Sequence, residues 1–71
     1  MTYSIGTKFL SVNGKIKRLC TITDIWKTYD AENNLVKLRY VADHDGPLGG
    51  VITDYDISPV TVARGIDRLL P

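Results

Sequence analysis

Residues 43–56 read DHDGPLGGVITDYD. Asp43, His44, Asp45, Asp54 and Asp56 are metal-ligand and proton-transfer residue types crowded around a glycine-rich loop. Calcium chemistry is the first reading to test. An EF-hand loop needs oxygen ligands at positions 1, 3 and 5, glycine at 6 and glutamate at 12. Counted from Asp43, glycine comes fourth, position 5 is Pro47 and position 12 is Asp54. The pattern fails where the cation needs oxygens. A looser site would join Asp43 and Asp45 to Asp54 and Asp56. A strand over Val51–Thr53, rising about 3.3 Å per residue, holds those ends apart unless the loop folds back. No metal site is therefore expected, and the aspartates read as turn formers. The glycines are no phosphate cradle, which requires G-x-x-x-x-G-K-[ST] leading into a helix.

Nucleophilic chemistry has one thiol, Cys20, and one imidazole, His44. Cys20 sits in an apolar β-prone run and is expected to be buried and inert. His44 is expected in an exposed loop, with no third group placed to orient it. No catalytic residue and no cofactor motif is expected, and the chain is read as a non-enzyme.

The binding candidates are aromatic and basic. Trp26, Tyr29, Tyr40 and Tyr55 combine apolar area with a polar tip, as interface anchors do. Tyr40 shares a strand face with Val36 and Leu38 and is assigned to the core. Trp26 is either an outward anchor next to Lys27 or a packed residue. Lys8, Lys15, Lys17, Arg18 and Lys27 lie on the first two predicted strands. With Trp26 and Tyr29 they offer a face for single-stranded nucleic acid or an acidic protein patch. On hairpin edges, lysine also simply discourages unwanted pairing. The candidate binding set is Trp26, Tyr29, Lys15, Lys17, Arg18, Lys27 and Tyr55.

These residues need elements to carry them. Asn13-Gly14 suits a type I′ turn, which predicts hairpin arms at Lys8–Val12 and Lys15–Leu19. The second arm continues through LCTITDIWKTY, rich in β-branched and aromatic residues. Cys20 and Ile22 share a face, and a bulge near Thr23-Asp24 would return Ile25 to that side. DAENN is a polar turn. In LVKLRYVA, Val36, Leu38, Tyr40 and Ala42 alternate with Lys37 and Arg39. A loop DHDGPLGG, a short strand VITDY and a tight or 3₁₀ turn DYDIS are expected next. In the tail, Ser58-Pro59 would suit a helix start, with Val60, Ala63, Ile66 or Asp67, and Leu70 aligned. Val60–Val62 prefer a strand, and Gly65 weakens a helix. The expectation is a last strand near Val60–Ala63 and a helical turn near Ile66–Leu70.

The bulk numbers set limits. Seventy-one residues make a single domain, 1–71, with a thin core. No segment approaches the ~18 apolar residues of a membrane span, and no secretory signal is read at the start. One cysteine excludes an internal disulfide and fits a cytoplasmic location. Residues 1–39 carry seven basic and three acidic side chains, and residues 40–71 carry two basic and five acidic. The charge is thus dipolar, and weaker than the basic stripe of a dedicated nucleic-acid binder.

IGTKFLSV, RLCTITDIW, LVKLRYVA, GGVITDYDIS and PVTVAR, in that order over residues 5–64, resemble the strands of SH3-like small β-barrels. The resemblance implies an all-β fold, a small five-stranded barrel with a 3₁₀ turn before its last strand. The ALYDY-like motif, acidic aromatic first loop and Trp pair of peptide-binding SH3 domains are absent, so proline-rich peptide binding is not implied. The chain also resembles, in style, the small complete one-barrel accessory proteins of phages and plasmids, some of which occupy or recruit a host protein. The expected function is a non-catalytic protein-interaction module. Nucleic-acid binding through the basic first hairpin is the alternative, and a metal-binding or enzymatic barrel the third reading. A homo-oligomer is compatible with the thin core.

Overall fold

The computed structural model describes residues 2–71. Four strands and one helix follow in order: β1 (Lys8–Asn13), β2 (Ile16–Tyr29), β3 (Leu35–Asp45), β4 (Val51–Ile57) and α1 (Pro59–Asp67). The strands form one antiparallel sheet in the order β1-β2-β3-β4. The all-β expectation holds at that level. The five-stranded closed barrel does not: β1 and β4 are opposite edges of an open sheet, and the fifth strand is a helix.

The first hairpin forms with a shifted turn. Asn13 pairs with Ile16, so Gly14 and Lys15 are the two loop residues. Only Gly14 has positive φ, at 64°. Glycine in the first central position is the type II′ pattern, whose twist also matches paired strands. Asn13 is thereby spared a left-handed backbone.

The bulge in β2 falls where the residue pattern requires it. Ile22 pairs with Ala42 and Asp24 with Val41, leaving Thr23 as the extra residue. Asp24 Oδ1 accepts the Ile25 amide at 2.8 Å and fixes the kink. Ile25 then packs against the core beside Cys20 and Ile22. At the β2–β3 turn, Asp30 Oδ1 accepts the amides of Glu32 and Asn34, both at 2.9 Å.

β3 runs three residues further than expected. Asp43, His44 and Asp45 are strand rather than loop, and the turn is confined to residues 46–50. Gly46 N donates to Gly50 O at 2.7 Å to close it. DYDI is likewise strand and not a 3₁₀ turn. Its turn tendency survives as a bulge: Asp54 pairs with Ala42 and Ile57 with Tyr40, and Asp56 between them has φ 62°.

α1 replaces the last strand because capping outweighs β-propensity here. The Ser58 hydroxyl accepts the Thr61 amide at 3.2 Å, and Pro59 begins the helix. The buried face is Val62 and Gly65, with Ile66 partly buried, and Val60 is exposed, against the predicted alignment. Gly65 permits the packing. A Cβ there would lie 2.8 Å from both Leu10 O and Phe9 Cβ. The helix therefore rests directly on β1, and Arg68 Nη1 donates to Leu10 O at 3.0 Å.

The core is Phe9, Cys20, Ile22, Tyr40, Ala42 and Val62. Tyr40 also receives the Tyr3 amide on its hydroxyl at 2.9 Å, with the two rings 6.0 Å apart. By register these sheet residues share the face that α1 covers. Among the described residues no second element packs on the opposite face, although Val41 on that side is buried.

Candidate interaction surface

Cross-strand pairs define the open face. Lys8 is opposite Thr21, Thr21 opposite Asp43 and Asp43 opposite Thr53, while Trp26 is opposite Arg39 and Thr28 opposite Lys37. Directly paired residues point the same way. Leu19, Val41, Asp45 and Val51 join this face by the same register.

Trp26 is its centre at one end. The Thr23 bulge turns Ile25 inward, which leaves Trp26 outward, and the indole N–H donates to Asp24 Oδ2 at 3.2 Å. Tyr55, on the same side of β4 as Val51 and Thr53, stacks on it with ring centroids 5.8 Å apart and planes 26° apart. Offset stacks of this kind hold both rings rigid. Both remain open to solvent, Trp26 at 46% and Tyr55 at 63% exposure. Beside them Asp56 Oδ1 lies 3.6 Å from Lys37 Nζ and 3.5 Å from Arg39 Nε. Trp26, Thr28, Lys37, Arg39 and Asp56 line a groove of about 210 Å³.

The other end of the same face is concave. A hollow of about 410 Å³ has Leu19 and Val51 as apolar walls and Lys8, Asp43 and Asp45 at its margin. Two neighbours occupy its polar groups in part. Lys8 Nζ donates to Thr21 Oγ1 at 2.8 Å, and Thr53 Oγ1 donates to Asp43 Oδ1 at 2.7 Å.

The remaining candidates are dispersed. Lys17 faces the open side near the first hairpin, and Arg18 faces the helix side, so the two do not form one strip. Lys15 is in the turn and exposed. Lys17 and Trp26 are nine positions apart on β2, roughly 30 Å at strand rise. Lys27 pairs with Leu38 and lies on the other face from Trp26. Tyr29 ends β2 opposite Leu35, exposed and outside the Trp26–Tyr55 pair. Sequence reading named Trp26 and Tyr55 but missed Lys37, Arg39 and Asp56 beside them. The signal was present for the two cations: both alternate with the core residues of β3.

The aspartate-histidine stretch also differs from its expected form. His44 is buried in β3 rather than exposed in a loop. The β3–β4 hairpin does fold back, and His44 Nε2 lies 3.1 Å from Asp54 Oδ2 while Nδ1 lies 3.0 Å from Asp45 O. The pair ties β4 to β3. Among the described residues, no three histidine, cysteine or acidic side chains converge to hold a metal ion. Burial pushes the Cys20 thiol up, with the Asp54 charge adding to it, and its Sγ donates to Arg18 O at 3.7 Å. A protonated, buried thiol is a poor nucleophile.

Comparison with protein-family models, with curated proteins and with solved structures finds no match to this chain. No helix among the described residues is long and apolar enough to cross a membrane.

Proposed function

We propose that this protein is a non-catalytic protein-interaction module that binds through the open face of its sheet, anchored by Trp26 and Tyr55. The observation that carries the reading is the stacked pair itself, two large aromatics on the strands that flank β3, Trp26 turned outward by the Thr23 bulge and Tyr55 outward by alternation with Val51 and Thr53. Aromatic anchors beside an arginine are the composition of interface hot spots. A large exposed aromatic patch on a rigid sheet is otherwise an aggregation hazard. A module of this kind acts by occupying or recruiting another protein, and a reducing cytoplasm suits its single buried thiol. Nucleic-acid binding through the first hairpin has weaker support, because Lys17 and Arg18 lie on opposite faces.

The test is affinity capture with the wild-type chain, Trp26→Ala and Tyr55→Ala in parallel. Both variants are expected to keep the wild-type circular dichroism spectrum and to lose a specifically captured protein. Capture that survives both substitutions would refute this face as the binding surface.

A further inference from the structure

The open face has a charge order along β3 that matches its own reverse. By register Lys37, Arg39, Val41, Asp43 and Asp45 share this face: two cations and two anions stand on either side of Val41, which is itself buried at 4% exposure. We infer that this face binds a second copy of the chain, turned end for end about an axis through Val41. The inference rests on the proposed role of the Trp26–Tyr55 face and names its partner.

In that arrangement Arg39 of one copy meets Asp43 of the other, and Lys37 meets Asp45. The match is isologous, as a two-fold dimer requires. Nearby charges at each end reduce the match without cancelling it. At the basic end Asp56 is shared by Lys37 and Arg39, leaving one positive charge in excess. At the acidic end Lys8 borders Asp43 and Asp45, leaving one negative charge in excess. Asp24, opposite Val41 on β2, places one negative charge from each copy near the axis, where the Trp26 indole and the Ile25 amide donate to its carboxylate and the Arg39–Asp43 and Lys37–Asp45 pairs must outweigh the repulsion.

Shape repeats the pattern. The projecting Trp26–Tyr55 stack sits level with Arg39, and the hollow walled by Leu19 and Val51 sits level with Asp43 and Asp45. Arg39 and Asp43 are four positions apart on β3, about 13 Å. End-for-end rotation brings the aromatic stack of each copy over the hollow of the other. Leu19 and Val51, at 50% and 68% exposure, are then covered.

The surface area agrees. The chain exposes 5159 Å², against roughly 4,400 Å² for a compact monomer of 7.9 kDa. The surplus, roughly 750 Å², is close to the ~800 Å² that each partner buries in a standard interface. The Cα radius of gyration, 13.3 Å, likewise exceeds the ~11 Å of a compact chain of this length.

Sedimentation equilibrium of the purified chain tests this with no other protein present. The wild type is expected to dimerise at micromolar to sub-millimolar concentration, more weakly as salt rises. Arg39→Asp alone and Asp43→Arg alone should each weaken the dimer by roughly a hundredfold or more, because like charges then face each other. Mixing the two variants should restore a dimer, since each supplies the charge the other lacks. Circular dichroism of each variant verifies the fold, and restoration on mixing itself requires folded chains. A wild type that stays monomeric at 1 mM, or a dimer indifferent to both reversals, would overturn the inference. A monomer whose partner capture still depends on Trp26 would overturn self-association alone and leave the interaction-module reading standing. A dimer that survives Trp26→Ala, with capture also unchanged, would remove both.

Discussion

Gly65 shows how much a single residue decides here. Its backbone lies against Leu10 O and Phe9, with no space for a methyl group. Gly65→Ala raises intrinsic helix propensity by about 1 kcal/mol yet forces α1 off β1. Overpacking of that kind costs about 1–3 kcal/mol, so a net loss of stability is expected, read as a lower melting temperature. From sequence, Gly65 counted against a helix, because its reason for being glycine lies across 55 residues of chain. Cys20 gives a pH signature. Its thiol is raised by burial, so the unfolded chain ionises first as pH rises. The stability it contributes is full below the ordinary thiol range, about 8.5, and is lost as pH climbs from there through the raised value. Urea midpoints measured across that window should fall in the wild type and flatten in Cys20→Ala. Asp30 behaves in the opposite sense. The Asn34 amide, aided by the Glu32 amide and the Asn34 side chain, holds its carboxyl below the usual range. Its contribution is present above the ordinary carboxylate value and disappears as pH falls through the lowered one, so Asp30→Asn should remove part of the acid slope.

At the level of elements, local chemistry was legible where side chain and backbone agree. The hairpin glycine, the Thr23 bulge and the polar turn at residues 30–34 all have nearby causes. The core positions Cys20, Ile22, Ile25, Tyr40 and Ala42 follow from two-residue alternation once the bulge is placed. What stayed illegible depended on distant partners. Asp43–Asp45 carry turn-forming side chains but extend as strand because β4 pairs with them. Val60–Val62 favour a strand, yet no strand edge receives them, and Ser58 with Pro59 starts a helix instead. Ser58→Ala should therefore destabilise the protein by about 1 kcal/mol, measured as a shift in the denaturant midpoint with unchanged slope. Loss of the cap without loss of stability would mean that packing of Val62 alone selects the helix. The candidate surface was half visible: Trp26 and Tyr55 stood out by type, but their stacking across β3 depends on the sheet order and the Thr23 bulge.

For the molecule as a whole, openness is the governing property. α1 covers one face and one edge, and the other face keeps its aromatics and ordered charges in solvent. Small domains bury a limited share of their surface, so covering this face would raise stability by mass action. The melting temperature of the wild type should rise with protein concentration between micromolar and millimolar, whereas that of Arg39→Asp should not. The two edges differ as well. β1 is closed by α1, with Arg68 on Leu10 O. β4 ends in a bulge around Asp56, and irregular, charged edges resist added strands.

The segment that shields the first strand comes after all four strands in the chain. Consecutive hairpins let β1 through β4 pair as they emerge, but Phe9 and the outer rim of β1 stay naked until Ser58 to Arg68 arrive. Translation stalled before Ser58 would leave a sticky nascent sheet, a natural client for chaperones. Maturation of this sheet is therefore settled by the arrival of Ser58 to Arg68.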